Sequence, residues 1–454
     1  MVSSVLIAVR TSIRRGQLSL RRHEMNLCQR GFRRSKSTLV KHRWASERKR
    51  NPRFLAVQYF DMCYMPVFKE KWPSIRLGLL SDPKYGAAIN TLAADDTVLK
   101  GLLELGTFEL FDQIKDLRST GESFLLKSQS TEMDVQPIEL PSAMGELSRD
   151  ESALGEFIRP TEFITKGVRP NAAIEMRSPN FAPAISQDCV IPYDVQYPEN
   201  LKIMLFPPGD ISIFPPSCAM ADGSLAYYLM DVASVLPIIA LDLRLGDSVL
   251  DMCAAPGGKT LLILGTLLPG SITCNDLSLR RFNRLRRTLN FYVPADCELR
   301  RRIVLKREDA SDDQWDELEK YDKVLVDAPC TNDRLCSDDD LNLFRRSRTE
   351  ERLKLPHVQI ALIQNGIRSL KLGGSLVYST CTLSPVQNDA VIEEVLRQNS
   401  EGPKVAICDL SSVAWPLQRS GIFHFHPCRY GLQVVPSVLS NFGPMYVCKL
   451  QKMA

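Results

Sequence analysis

Two short strings in this sequence place a cysteine in a turn: Asp327-Ala328-Pro329-Cys330 and Ser379-Thr380-Cys381-Thr382. A thiolate is a strong nucleophile, so a cysteine presented to a cleft can add covalently to an electrophilic carbon. One cysteine in such a place is more often buried filler; two, each opposite a glycine-rich loop, favour chemistry. Zinc is disfavoured for the pair, because only Cys336 lies near either residue in sequence and no histidine does. The glycine-rich loop is Asp251-Met252-Cys253-Ala254-Ala255-Pro256-Gly257-Gly258-Lys259-Thr260. Adjacent glycines let a backbone approach a ligand closely, and the N-terminus of a following helix offers free N–H groups to a carboxylate or phosphate. The string is neither G-x-G-x-x-G nor G-x-x-x-x-G-K, and for the two glycines alone a generic tight turn stays open. Asp276 can accept hydrogen bonds from ribose hydroxyls or cap a helix, and Asp309 can reach an adenine amino group. Arg281 belongs to a run with Arg280, Arg284, Arg286 and Arg287, near Arg300, Arg301, Arg302, Lys306 and Arg307. Such a run is a solvated face or a phosphate-binding patch.

The elements that must position these residues can be read from apolar periodicity. Short strands are expected at Ser248–Met252, Ser271–Asn275, Arg302–Leu305, Lys323–Val326 and Ser375–Ser379, with helices after the glycine loop, at Leu279–Asn290 and at Glu351–Leu370. This alternation implies an α/β fold with a doubly wound, mostly parallel sheet whose ligands bind at the carboxyl ends of the strands. Each candidate residue above follows such an end. Ahead of the sheet, residues 51–126 read as a helical N-terminal region, residues 127–200 as a long loop or partly disordered linker, and Ser224–Leu243 as helical. Residues 201–454 form the expected catalytic domain.

Residues 1–50 carry 14 Lys and Arg against two acids, Glu24 and Glu47, so the rest of the chain carries a net charge of −8. The arginine-rich, acid-poor start has the composition of a mitochondrial transit peptide, with a nuclear or RNA-binding basic arm as the competitor. An acidic body repels phosphate, so nucleic-acid binding must come from a local basic patch or a partner. The longest apolar stretch, Val232 to Leu241, is shorter than the ~20 residues a membrane-spanning helix needs. The 13 cysteines are scattered without a Cys-x-x-Cys, which suggests neither a disulfide framework nor a structural metal. His424, His426 and Cys428 alternate with other residues and read first as one face of a strand, with a metal there a minor alternative.

The strings Asp251 to Thr260, Asp327 to Cys330 and Thr380-Cys381 resemble the motifs of the NSUN, or Sun-domain, family of S-adenosylmethionine-dependent RNA cytosine-5 methyltransferases, over roughly Phe206 to Leu450. Phe206-Pro207-Pro208-Gly209-Asp210-Ile211-Ser212, Tyr227-Tyr228-Leu229-Met230-Asp231 and Asn441-Phe442-Gly443-Pro444-Met445-Tyr446 are similar to its mitochondrial ribosomal-RNA branch. The resemblance implies a Rossmann-like methyltransferase sheet with a helical N-terminal extension. It implies that Cys253, Ala254, Ala255, Pro256, Gly257, Gly258 and Lys259 surround the methionine end of S-adenosylmethionine, with Asp276 and Arg281 at the ribose and Asp309 near the adenine. Asp327 would stand between cofactor and base, Lys259 would orient the catalytic groups, Cys381 would be the nucleophile and Cys330 would help release the product. Implied partners are rRNA, the mitochondrial ribosomal small subunit and a helical protein of the mitochondrial transcription-termination-factor type, in the matrix. Thr382 stands where serine is common and Ala310 where glycine often follows the adenine-contacting acid.

The chemistry explains the residue types. Carbon 5 of cytosine is a poor nucleophile until a thiolate adds to carbon 6, and the target base must leave its stack. A DNA cytosine methyltransferase would use Pro329-Cys330 as nucleophile, and Thr380-Cys381 argues against it. The alternatives are a ribosome-assembly factor acting mainly by binding and a methyltransferase acting on another RNA, while the glycine pattern is wrong for a dehydrogenase.

Overall fold

The computed structural model describes residues 52–120, 190–193, 196–334, 342–399 and 404–453. The expected transit peptide, most of the 127–200 linker and Cys336 lie outside them. The described chain starts with α1 (Pro52–Phe68) and α2 (Trp72–Leu80), where proline in the opening turn fits the helix start. Phe60, Tyr64, Phe68 and Trp72 recur at four-residue spacing and are all buried, with Phe60 stacked on Tyr64 and Tyr64 edge-on to Trp72. β1 (Gly86–Ile89), α3 (Asp96–Glu104), β2 (Phe108–Glu109) and α4 (Leu110–Thr120) come next. The carboxylate of Asp95 caps α3 by accepting from the backbone of Thr97 and Val98.

After the short β3 (Val190–Pro192), β4 (Ile203–Leu205) and β5 (Tyr227–Met230) pair antiparallel with β1, giving a small sheet in the order β2-β4-β1-β5. The N-terminal region is helical, as expected, and its described residues also contribute β1 and β2. One expectation is corrected: Tyr227–Met230, read as helical, is a strand, with the buried α5 (Leu236–Leu241) beginning only afterwards. These three strands depend on partners far away in sequence, such as Ala87 opposite Met204 and Leu229 and Phe108 opposite Leu205, which local periodicity does not contain.

The large sheet is built from β6 (Ser248–Asp251), α6 (Gly258–Gly265), β7 (Ser271–Asn275), α7 (Leu279–Tyr292), α8 (Glu298–Arg301), β8 (Ile303–Lys306), β9 (Tyr321–Asp327), α9 (Thr349–Ser369) and β10 (Leu370–Thr380). It continues through α10 (Asp389–Gln398), β11 (Val405–Asp409), α11 (Ser411–Arg419), β12 (His424–Pro427), β13 (Leu432–Val435) and β14 (Met445–Lys452). The order is β12-β13-β14-β10-β9-β6-β7-β8, with β11 beside the end of β14 and β3 beside β11. Strands β10, β9, β6, β7 and β8 are parallel, as the α/β reading requires, while β14 runs antiparallel to β10. Alternating residues enter opposite cores: Val249, Leu325 and Val377 pack with α5 and α6, whereas Leu250, Val324 and Leu376 pack with α9 and α10. Burial on both faces is why these strands read as unbroken apolar runs. On β12, His426 lies edge-on to Phe68, and no group of three or more metal-ligating side chains occurs among the described residues. No described helix is long and apolar enough to cross a membrane.

Candidate active site

The registers bring the carboxyl ends of four strands level: Asp251 of β6 lies beside Cys274 of β7 and Leu325 of β9, and Asp327 lies beside Ser379 of β10. The loops leaving these ends form one site. Beyond Asp251 the chain turns through Gly257 at φ 113°, a left-handed conformation suited to glycine, and enters α6. A Cβ on Gly258 would stand 3.0 Å from the Tyr228 ring, so glycine lets the helix start lie this close to β5 without displacing that ring. The Thr260 hydroxyl, in the first turn of α6, donates to one oxygen of the Asp251 carboxylate at 2.8 Å. The other oxygen is buried and has no hydrogen-bond partner. Burial, seconded by the charge of Asp327 and opposed by Thr260, pushes the Asp251 carboxyl up to about 7.

The β7 and β8 ends are tied to this loop. Asn275 donates to the carbonyls of Met252 and Glu308 and accepts from the Glu308 backbone at 2.9 Å, so one buried amide joins three strand ends. Asp276 accepts from the backbone of Ser278 and Ala255, and its carboxylate pairs with Arg281, which also donates to the Ala255 carbonyl at 2.6 Å. The cap of α7 is Ser278, which leaves Asp276 out of the helix-cap role. Asp309 is exposed, and its carboxylate accepts from the backbone and hydroxyl of Ser311.

At the β9 and β10 ends, Asp327 is held from both sides: Lys259 Nζ donates to one oxygen and Ser379 Oγ to the other, each at 2.8 Å. Burial works to lower the Lys259 ammonium, but the adjacent Asp327 charge and hydrogen bond outweigh it and hold it above its ordinary range. Cys330 and Cys381 meet with their sulfurs 3.2 Å apart, and the Cys381 backbone N–H points at the Cys330 sulfur at 3.3 Å. The hydrogen bond with Cys330, then burial, raises the Cys381 thiol well above its usual range, while Lys259 pulls the other way. Burial similarly raises Cys253.

Two cavities meet at this point. A cleft of about 140 Å³ is lined by Asp251, Cys253, Ala254, Ala255, Pro256 and Gly258, with Tyr228, Met230 and Ser234 opposite. A larger cavity of about 640 Å³ is lined by Cys381, Asn332 and Arg334, by Asp231 and Gly443, and by the α2 end with the residues after it, Leu79 to Pro83 and Tyr85. Lys259, Asp327 and Ser234 line both, which places the Lys259–Asp327 pair where the two cavities adjoin. Cys381 faces the larger space, and Cys330 is set back from it. The smaller cleft suits the amino-acid end of S-adenosylmethionine, because the orphaned Asp251 oxygen is an acceptor awaiting a cationic donor.

Residues 238–450 match the family model described as 16S rRNA methyltransferase RsmB/F. The 5-cytosine rRNA methyltransferase nsun-4 of Caenorhabditis elegans is 38% identical over 437 residues, covering 89% of this chain and 93% of that protein. The chain belongs to the NSUN, or Sun-domain, methyltransferase family. The mitochondrial tRNA (cytosine(34)-C(5))-methyltransferase of Mus musculus is 39% identical over 259 residues, 56% of this chain and 72% of that protein. A solved structure of a methyltransferase homologue from Pyrococcus horikoshii shares the fold, with TM-score 0.51 and 18% identity over 89% of this chain and 99% of that one. This methyltransferase is S-adenosylmethionine-dependent, as its family is.

Of the residues expected from sequence, Cys253, Ala254, Ala255, Pro256, Gly258, Lys259, Asp327 and Cys381 line the two cavities, Asp276 and Arg281 brace the loop from behind, and Gly257, Cys330 and Asp309 line neither cavity. Sequence reasoning misses Ser379, Asn275, Asp231 and Asp333 as parts of the site. Ser379 sits inside the Ser379-Thr380-Cys381-Thr382 string without an evident role there, and the others are recognisable only through partners distant in sequence.

Proposed function

We propose that this methyltransferase methylates carbon 5 of a cytidine in the rRNA of the mitochondrial small ribosomal subunit and takes part in assembling that subunit. The observation that carries the reading is the paired sulfurs of Cys330 and Cys381 beside an Asp327–Lys259 pair that stands between a cofactor cleft and a nucleotide-sized cavity. When bound, S-adenosylmethionine supplies an electrophilic methyl group. The Cys381 thiolate adds to carbon 6 of the flipped base and makes carbon 5 enamine-like. The Lys259 charge favours that thiolate, and Asp327 accepts a hydrogen bond from the protonated ring nitrogen of the attacked base. Once carbon 5 carries the methyl group, a base takes its proton, the carbon 6–sulfur bond breaks to return the Cys381 thiolate, and Cys330 assists this elimination. A base must leave its stack to reach Cys381, which favours a loop or single-stranded cytidine.

The alignment supports rRNA over tRNA as substrate, because it extends through the N-terminal region for nsun-4, a 5-cytosine rRNA methyltransferase, but covers only 56% of this chain for the tRNA enzyme. The arginine-rich residues 1–50 support import into the mitochondrial matrix. A helical partner of the mitochondrial transcription-termination-factor type completes the reading. Bisulfite sequencing of organelle rRNA and tRNA with and without the protein tests it: one small-subunit rRNA cytidine losing protection is expected, and loss confined to a tRNA would replace the substrate.

A further inference from the structure

The regular pairing of β9 with β10 ends at Asp327 and Ser379, before either cysteine is reached. The 3.2 Å sulfur separation must therefore be set by the loops beyond that point. Those loops converge on one side chain, Asp333, which is 0% exposed. Its backbone N–H donates to the Cys381 carbonyl at 3.3 Å. Its carboxylate accepts from the Leu383 backbone at 2.8 Å and lies 2.9 Å from the Thr331 hydroxyl and 3.1 Å from the Thr382 hydroxyl. Thr331 directly follows Cys330, and Thr382 directly follows Cys381; the two hydroxyls are also 2.9 Å from each other. A further donor comes from outside the sheet: the Tyr64 hydroxyl on α1 reaches the same carboxylate at 2.9 Å. Tyr64 is itself 0% exposed and packed among Phe60, Phe68 and Trp72, so this donor cannot swing away.

We propose that Asp333 is the positioning residue of the cysteine pair, and that Tyr64 makes the N-terminal helix α1 part of the catalytic apparatus by fixing Asp333. The inference rests on the reading that Cys381 attacks the base and Cys330 releases it. A buried carboxylate without donors is costly, so its donors are held in place as firmly as they hold it. Because those donors flank both sulfurs, rotation of the carboxylate moves one cysteine loop relative to the other. Displacement by ~1 Å is enough to slow a positioned reaction by about a hundredfold.

The test uses the full chain with Tyr64→Phe, which removes only the hydroxyl, and Asp333→Asn, which keeps the shape but turns one acceptor into a donor. Expected for Tyr64→Phe is a kcat lowered about fivefold, the worth of one hydrogen bond, with RNA KM and S-adenosylmethionine affinity within about twofold of the parent. Asp333→Asn is expected to lose roughly a hundredfold in kcat. A readout separate from turnover is the pH dependence of iodoacetamide alkylation at Cys381, followed by peptide mass spectrometry. If Cys330 drifts from Cys381, the hydrogen bond that raises the Cys381 thiol is lost and the alkylation midpoint moves to lower pH. An unchanged alkylation profile in both variants overturns the proposal, whether activity is kept or falls in step with melting temperature. Retained methyl transfer by Cys381→Ala would remove the underlying reading instead, and the alkylation result would then show the spacing role alone.

Discussion

A thiol that touches a second thiol at 3.2 Å and is raised well above its usual range rests protonated, so attack requires that the base and Lys259 together favour the thiolate. Cys381→Ala is expected to abolish methyl transfer while S-adenosylmethionine still binds, because the sulfur faces the larger cavity and does not line the cofactor cleft. Cys330→Ala is expected to accumulate enzyme covalently bound to RNA on denaturing gels; the reverse pattern would exchange the roles. Asp251 offers a second prediction, from its carboxyl near 7. Between about pH 4 and 7 the folded state holds a proton that the unfolded state releases, so this group's contribution to stability falls as pH rises, by a few kcal/mol at most. Asp251→Asn is therefore expected to lose less denaturant resistance than the parent between pH 5 and 8, and to bind S-adenosylmethionine more weakly at pH 8. Equal pH slopes for the two proteins would show that Asp251 is already ionised in the apo fold. Asp251, Asp327 and Cys381 are legible in the sequence because each sits beside a strand end in a distinctive string. Asp333 is not, since its meaning lies in Tyr64, 269 residues away.

At the scale of elements, the parallel strands announce themselves and most of the others do not. β6, β7, β9 and the second half of β10 are largely buried and read as apolar runs bounded by turns, β8 lies half-exposed at the sheet edge, and β7 falls at Ser271–Asn275 as expected. β11, β13 and β14 merge into an undivided remainder of the sequence because antiparallel pairing with β14 defines the other two, whereas β12 (His424–Pro427) shows in the alternation around His424 and His426. The close approach of α9 to the sheet yields a prediction in which two effects compete. Gly366 sits inside α9, and a Cβ there would lie 2.5 Å from a Leu376 methyl and 3.3 Å from the Met252 sulfur. Replacing a helical glycine with alanine favours folding by up to ~1 kcal/mol through propensity. Overpacking a filled core costs about 1–3 kcal/mol. The second effect wins at this distance, so Gly366→Ala is expected to lower the urea midpoint. A raised midpoint would mean that Leu376 yields without strain.

Over the whole molecule the decisive quantity is charge. Beyond residue 50 the chain carries −8, yet its substrate is a polyanion whose binding strengthens with each phosphate neutralised. The basic resources are local. On α7, Arg280, Arg284, Arg286 and Arg287 are exposed, while Arg281 is committed to Asp276 and the Ala255 carbonyl. On the adjoining segment Arg302 pairs with Glu298 and Lys306 with Glu317, which leaves less positive charge there for phosphate. Arg334, in the cavity wall, is occupied with the carbonyls of Gly443 and Asn441. The site is therefore well equipped to process a base and poorly equipped to hold the RNA around it. Protein lacking residues 1–50 is expected to bind its rRNA target weakly at near-physiological salt, and addition of a basic helical partner is expected to raise affinity and the salt dependence together. The slope of log K against log salt should steepen by about 0.7–0.9 per additional phosphate contacted. Reversing Arg284 and Arg287 to glutamate would weaken the residual binding of the isolated protein without changing S-adenosylmethionine affinity, since neither residue lines the cofactor cleft. Tight, site-selective binding by the isolated protein, unaffected by those reversals, would show that the acidic body carries a phosphate surface elsewhere and would remove the need for a partner.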